Sequence, residues 1–315
     1  MIRRVLIALA FFFTLSQSVA LTKTPGTIAT VDLMRAFFTA DAASLPLDKR
    51  IELFKEKILY PNRSLYDGQG PFDDVHIAWY LNELTPKTPQ LRRFTTAVAT
   101  ALPAYEAKFE SAFPKFDPAT VTIYLMPSMG HFDGMTKDVG GNHGLLIGVD
   151  NLSQENLSIG IFLDHEMFHI YHHDINRAFF PTSSENDLYQ YGLYRQVWAE
   201  GLATYVSQQL NPGASTADVL ASADLANLSQ SDAKKLACIV SAHFGSNDVN
   251  YAGLLFDESQ HPAALPPRGG YYVGYVLAKD LGRSRTLSEL ADMRGDELYN
   301  TLHAIVSSLC GEKPT

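Results

Sequence analysis

His165-Glu166-Met167-Phe168-His169, in the run IFLDHEMFHIYHH, has the form H-E-x-x-H. Residues four apart on an α-helix lie one turn apart on the same face. The spacing therefore aims the imidazoles of His165 and His169 at one point, where a single metal ion could take both. Glu166, beside the first of them, is placed to handle the proton of a water at that ion. Five residues of this form can arise by chance in a chain with ten histidines, so neighbouring elements must supply the context. A catalytic zinc site takes three protein ligands and keeps one position open. The third expected ligand is Glu200, in Val197-Trp198-Ala199-Glu200-Gly201-Leu202-Ala203, 31 residues after His169 on the next long helix. A glutamate is ordinarily a solvated residue, but the apolar neighbours here point to burial, and a buried carboxylate needs a partner. The small residues Ala199, Gly201 and Ala203 would let two helices approach closely enough for one ion to bridge them. One Zn2+ is the expected cofactor.

The elements that must hold these side chains can be read from periodicity. Strand character appears at Val121–Met126 (VTIYLM), β-branched and aromatic and ended by Pro127. A glycine-rich loop is expected over 130–144 and a second strand over Leu145–Val149. The motif helix then runs from about Ser153 to His173, and the helix carrying Glu200 from Ser183 to Leu210, ended by Asn211-Pro212-Gly213. Before these, three- and four-residue apolar spacing predicts helices over 31–40, 47–59, 73–84 and 88–113. After them, helices are predicted over 216–228, 230–244, 270–281, 286–292 and 295–309, with 245–269 irregular. The fold class is α+β, predominantly helical, with a small sheet next to the motif helix.

Residues 1–20 read as a secretory signal peptide: Arg3 and Arg4, an apolar run from Val5 to Leu15, then Ser18-Val19-Ala20 as cleavage site. The run is too short for a bilayer core of about 30 Å, so no stable membrane anchor is expected once the signal is cleaved. The expected location is exported, periplasmic or extracellular. Cleavage would leave 295 residues and, with two arginines gone, move the net charge from −9 to −11. An acidic chain without basic clusters argues against a nucleic-acid partner. Cys238 and Cys310 could form one disulfide or remain two buried thiols, and neither has the spacing of a cysteine-rich zinc site. The expected division is 1–20 signal, 21–118 N-terminal helical lobe, and 119–315 catalytic domain, with the metal site in 153–210 and C-terminal helices in 216–310.

H-E-x-x-H followed by E-G-x-A on a later helix resembles the gluzincin metallopeptidases, in which two histidines and a glutamate bind zinc. Gly270-Tyr271-Tyr272-Val273-Gly274-Tyr275 is similar to a G-Y-x-x-G-Y element of bacterial predicted zinc-dependent proteases related to that clan. The similar motifs span roughly residues 119–285. The ligand spacing exceeds that of the thermolysin type, so the resemblance is to the clan. It implies a zincin-like fold and hydrolysis of a peptide or protein substrate, with Glu166 as general base. It also implies that Leu145–Val149 is the edge strand that pairs with extended substrate. Tyr271 and Tyr275, four apart, are the candidate donors to the oxyanion, with the flanking glycines leaving room for substrate; packing explains them as well. Thr204 stands one turn beyond Glu200, where relatives commonly carry a carboxylate that steadies a histidine; Asp174, Glu185 and Asp187 are weak substitutes. His172 and His173 read as surrounding or surface groups, and Phe179-Phe180 as pocket lining or a buried loop anchor. The alternative function is a catalytically idle, zinc-stabilised envelope or binding protein.

Overall fold

A computed structural model describes residues 26–40, 44–70, 72–154, 158–181, 185–257, 259–261 and 264–311; the expected signal segment lies outside them. A four-stranded mixed sheet forms the centre. Strands β1 (Ala29–Asp32), β2 (Val121–Met126), β3 (Gly134–Val139) and β4 (Asn142–Gly148) are arranged in the order β1-β2-β4-β3. β2 runs parallel to β1, with Ala29 opposite Thr122, and parallel to β4, with Val121 opposite His143. β3 returns antiparallel along β4, with Gly134 opposite Ile147 and Val139 opposite Asn142. The turn between them is Gly140-Gly141, both at positive φ (64° and 83°), the backbone of a tight hairpin whose twist suits the flanking strands.

Two expectations about the sheet are corrected. The predicted helix over 31–40 begins only at Met34, because β-branched Thr30 and Val31 pair with β2. Asp32 then ends the strand, and its carboxylate accepts the Arg35 backbone N–H at 3.1 Å, which helps start the helix. The predicted loop over 130–144 contains β3. Consequently the strand expected at the edge, Leu145–Val149, is interior, and β3 forms the edge on that side, with β1 at the other.

Around the sheet lie α1 (Met34–Ala40), α2 (Leu47–Phe54, continued as a π-helix over Lys55–Leu59), α3 (Arg63–Tyr66), α4 (Asp74–Leu84) and α5 (Thr88–Ala112). The short α6 (Val149–Leu152) follows β4 directly, and α7 (Ile159–Ile175) carries the H-E-x-x-H run. The predicted helix over 183–210 is broken at Gly192: a 3-10 segment Glu185–Tyr191 precedes α8 (Leu193–Leu210). The predicted helix over 216–228 is two single turns, α9 (Thr216–Val219) and α10 (Ala223–Ala226), separated at Ala221 with φ 48°. α11 (Gln230–Ala242) follows, and α12 (Val249–Phe256) occupies part of the stretch expected to be irregular. The chain finishes with α13 (Gly269–Leu281), α14 (Leu287–Asp292) and α15 (Gly295–Cys310). Cys238 on α11 and Cys310 on α15 form a disulfide, with Cα atoms 4.7 Å apart. Among the described residues, no helix is long and apolar enough to cross a membrane.

α7 is buried on almost every side, as expected of a helix apolar all round. Phe168 and Tyr171 pack on Phe113, with ring centroids 5.6 and 4.6 Å away. Asp164 points away from the two histidines into the interior, fully buried, and its Oδ2 accepts from Lys108 Nζ on α5 (2.5 Å) and Asn211 Nδ2 at the end of α8 (2.7 Å). A buried carboxylate held from two other helices fixes how α7 sits relative to α8. That relation brings the metal-motif side chains opposite Glu200.

Candidate metal centre and active-site cleft

α7 presents His165 and His169 on one face, and α8 brings Glu200 opposite them. The Nε2 atoms of the histidines are 3.0 Å apart; Glu200 Oε2 stands 3.4 Å from that of His165 and 3.5 Å from that of His169. A tetrahedral zinc with bonds of about 2.0–2.2 Å places its ligand atoms roughly 3.3 Å from one another. The three donors therefore have the separations of three corners of such a site, and their types, two imidazole nitrogens and a carboxylate, suit zinc. Charge agrees with geometry. Burial lowers the pKa of His165, favouring the neutral ring whose lone pair binds metal. Burial alone would raise Glu200, yet the facing His169 and His165 hold its carboxyl well below the ordinary range, so it is ionised.

The open side of this triangle faces a cleft of about 590 Å³, bordered by Glu166, Tyr271, Arg268 and the β3 residues from Gly134 to Asp138. β3 passes so close to α7 that a Cβ on Gly134 would lie 2.6 Å from the Phe162 ring and 2.9 Å from Glu166 Oε1. A side chain there would have to displace the Phe162 ring or the Glu166 carboxylate. The edge strand is thereby laid beside the carboxylate of Glu166. Asp67, between α3 and α4, also lines the cleft, and its backbone carbonyl accepts from Lys137 Nζ at 3.0 Å. The N-terminal helices thus contribute to one wall.

A second close approach positions Tyr271. α8 and α13 cross at Gly201 and Gly274, where a Cβ on either glycine would come within about 2.0 Å of the other helix's backbone. This explains the glycine spacing in G-Y-x-x-G-Y differently from the expectation that the glycines make room for substrate. Gly274 admits α8, and a Cβ on Gly270 would meet the Phe256 ring at 2.5 Å. One turn before the crossing, Tyr271 reaches the cleft, its ring stacked 6.4 Å from that of His165. Burial, then the nearby Glu200, raise its pKa, so the hydroxyl keeps its proton and remains a donor. Tyr275 is not brought to the cleft. Its hydroxyl donates to Gln208 Oε1 at 2.6 Å and accepts from Lys279 Nζ at 3.2 Å.

A match to a family model described as "Putative zinc dependent peptidase (DUF5700)" covers residues 34–299. The chain belongs to the DUF5700 family. No curated protein matches, and no solved structure does. The matched stretch of this DUF5700 chain runs from α1 into α15 and so takes in the N-terminal helices, for which the motifs alone offered no relative.

The remaining polar candidates are held in other contacts. Thr204 Oγ1 donates to the Glu200 carbonyl at 2.8 Å, bracing the backbone one turn earlier. Asp174 bonds His143 Nε2 (2.8 Å) and Arg177 (2.9 Å). His173 Nδ1 lies 3.9 Å from Asp174 Oδ1. His143, His173 and Asp174 form a second compact donor group, in which Arg177 already supplies positive charge to the carboxylate. The side chains of Glu185 and Asp187 lie outside the described ones. His172 is fully buried, with ring centroids 5.2 and 4.8 Å from Phe179 and Phe180. Burial lowers its pKa to about 3, so it stays neutral. Phe179 and Phe180 are accordingly a loop anchor in the core. Arg268 was invisible in the sequence, where no basic residue near the motifs stood out as an anchor for a substrate carboxylate. It enters the cleft only because of how the chain turns into α13.

Proposed function

We propose that this chain is an exported zinc peptidase of gluzincin type, with a zincin-like arrangement of its catalytic part. In this reading His165, His169 and Glu200 hold one Zn2+ and peptides are the substrate. The observation that carries the reading is the tetrahedral spacing of the three donors at the floor of a cleft walled by Glu166 and a sheet edge. A zinc ion there would supply Lewis acidity, making water acidic enough to ionise near neutral pH. Glu166 takes up that proton at its carboxylate and returns it to the leaving amine. Tyr271 donates to the scissile carbonyl oxygen as it gains negative charge. β3, paired on one side only, offers backbone groups to an extended peptide, and its closeness to Glu166 puts the scissile bond beside the base. Export is supported by the pattern of residues 1–20 and by the Cys238–Cys310 disulfide, a bond typical of oxidising compartments.

Incubation with a mixed-sequence peptide library tests the reading. Zinc-loaded protein is expected to cut internal or terminal peptide bonds, 1,10-phenanthroline to stop cleavage, and added Zn2+ to restore it. If zinc raises the melting temperature while no peptide is cut, the idle zinc-stabilised binding protein is the correct reading instead.

Tyr271→Phe gives a finer check. It is expected to lower kcat about 10²–10³-fold with little change in KM, the mark of a contact made in the transition state. In the zinc-free protein burial raises the tyrosine pKa, so a spectroscopic titration of wild type against Tyr271→Phe should show this hydroxyl losing its proton above the ordinary value near 10. Ionisation at or below about 10 would contradict its buried position.

A further inference from the structure

Arg268 immediately precedes α13 with φ 61° and ψ 30°, a left-handed conformation that a side chain bearing a Cβ seldom adopts. Pro266 and Pro267 lead into it, and its carbonyl accepts the Tyr271 backbone N–H at 3.1 Å, closing the first turn of the helix. The result is a guanidinium that borders the cleft with its carbon 4.3 Å from the centroid of the Tyr271 ring. Tyr271 is in turn stacked against His165, and the charge of Arg268 acts on that histidine, so the cation stands near the candidate metal ligands.

On the reading that the triangle holds a divalent ion, the local charges near the reacting carbonyl are the ion's two positive charges and the carboxylates of Glu200 and Glu166. These sum to zero. When Glu166 takes up the proton the sum becomes one positive charge, equal to the single negative charge that develops on the carbonyl oxygen, and a further cation directed at that oxygen would stabilise it beyond this neutral balance. Arg268 is the cation beside the tyrosine that faces the same point, and a guanidinium keeps its charge throughout the accessible pH range. We propose that Arg268 is a catalytic residue, forming with Tyr271 a two-donor site for the oxygen of the scissile carbonyl. A residue that anchored a terminal carboxylate would stand at least one residue along the substrate, about 3.3–3.6 Å or more from the scissile carbonyl. Arg268 instead packs on the ring that adjoins the metal ligands. The inference rests on the peptidase reading above.

Arg268→Met keeps a Cβ in the left-handed position and the length of the side chain while removing charge and donors. In zinc-loaded protein it is expected to lower kcat about 10²–10³-fold with KM within a few-fold of wild type. Zinc stoichiometry and melting temperature should not change. Affinity for a phosphinic peptide, which carries a charged tetrahedral centre, should fall in parallel with kcat/KM. Affinity for an uncut substrate peptide, measured in a Glu166→Gln background, should hold. Arg268→Lys should recover part of the loss. If Arg268→Met cleaves amidated peptides like wild type and loses only those with a free C-terminal carboxylate, Arg268 is a carboxylate anchor and the proposal is wrong. Wild-type kinetics on both substrates would reduce it to a brace for the Tyr271 ring and equally overturn the proposal. Wild-type zinc protein that cleaves nothing removes the peptidase reading itself, and the proposal with it.

Discussion

Glu166→Gln is expected to lower kcat/KM by about 10²–10⁴-fold, the range spanned by a positioned general base, while one zinc per chain remains bound. The substitution keeps size and hydrogen-bonding capacity and removes only the ability to take a proton. Glu166 is adjacent to His165 in the chain but is absent from the triangle of donors, so the metal has no reason to leave. It faces Gly134 of the edge strand so closely that a Cβ at that position would lie 2.9 Å from its Oε1. A peptide lying along β3 therefore passes the carboxylate, and a glutamine there can position water without activating it. Kinetics on a cleaved library peptide, paired with metal analysis of the same preparation, read both halves. Loss of zinc together with activity would mean that Glu166 has a structural part in the site, and wild-type turnover would remove it from the mechanism.

Gly274→Val is expected to be strongly disruptive although it lies outside the donor set. Its Cβ would fall about 2.0 Å from the Val197 carbonyl oxygen, which is backbone and cannot rotate away. α13 and α8 would have to separate, and overpacking of that kind typically costs about 1–3 kcal/mol and occasionally more. For a backbone contact the upper end is expected, about 3 kcal/mol. The functional consequence is specific. Tyr271 sits one turn before the crossing, so moving α13 outward withdraws the hydroxyl from the cleft even in the folded fraction. Thermal or urea unfolding should show the loss of stability, and kcat of the remaining folded protein should fall toward that of Tyr271→Phe. Gly201→Val meets the same barrier from the other helix and should behave alike. A variant as stable and active as wild type would show that the two helices are not held by this contact.

What could be read from the sequence was what local rules govern. The four-residue spacing of His165 and His169 needs nothing beyond helix geometry, and Glu200 is conspicuous as an acid between Val197, Trp198 and Leu202. The predominantly helical α+β class followed from the same periodicities, and the structure has it. The misses have tertiary or weak-pattern causes. β3, reading GMTKDV, lacks alternating apolar residues because its edge position leaves it half-buried. The signal that could have exposed it was Gly140-Gly141 between two short runs, a hairpin turn pair. With β3 outside it, β4 is interior, and the edge position that the resemblance implied for Leu145–Val149 falls to β3. β1 is four residues long and runs straight into α1, too short for alternation to register against the helical pattern that follows. Four-residue spacing places Tyr275 on the same helix face as Tyr271. A shared face does not mean a shared neighbour, and across the α8 contact the face of α13 extends from the cleft to Gln208. Arg268 depends on one left-handed residue after two prolines, and no periodicity encodes that.

If His165, His169 and Glu200 hold one zinc ion that peptide hydrolysis requires, removing one of the three must remove both metal and activity. The most direct measurement is the zinc content of purified wild-type protein and of Glu200→Ala, by mass spectrometry of the intact native protein, beside their peptide-cleavage rates. One zinc per wild-type chain is expected, little or none in Glu200→Ala, and cleavage lost with the metal. Full zinc occupancy in Glu200→Ala, or undiminished cleavage without zinc, would contradict it.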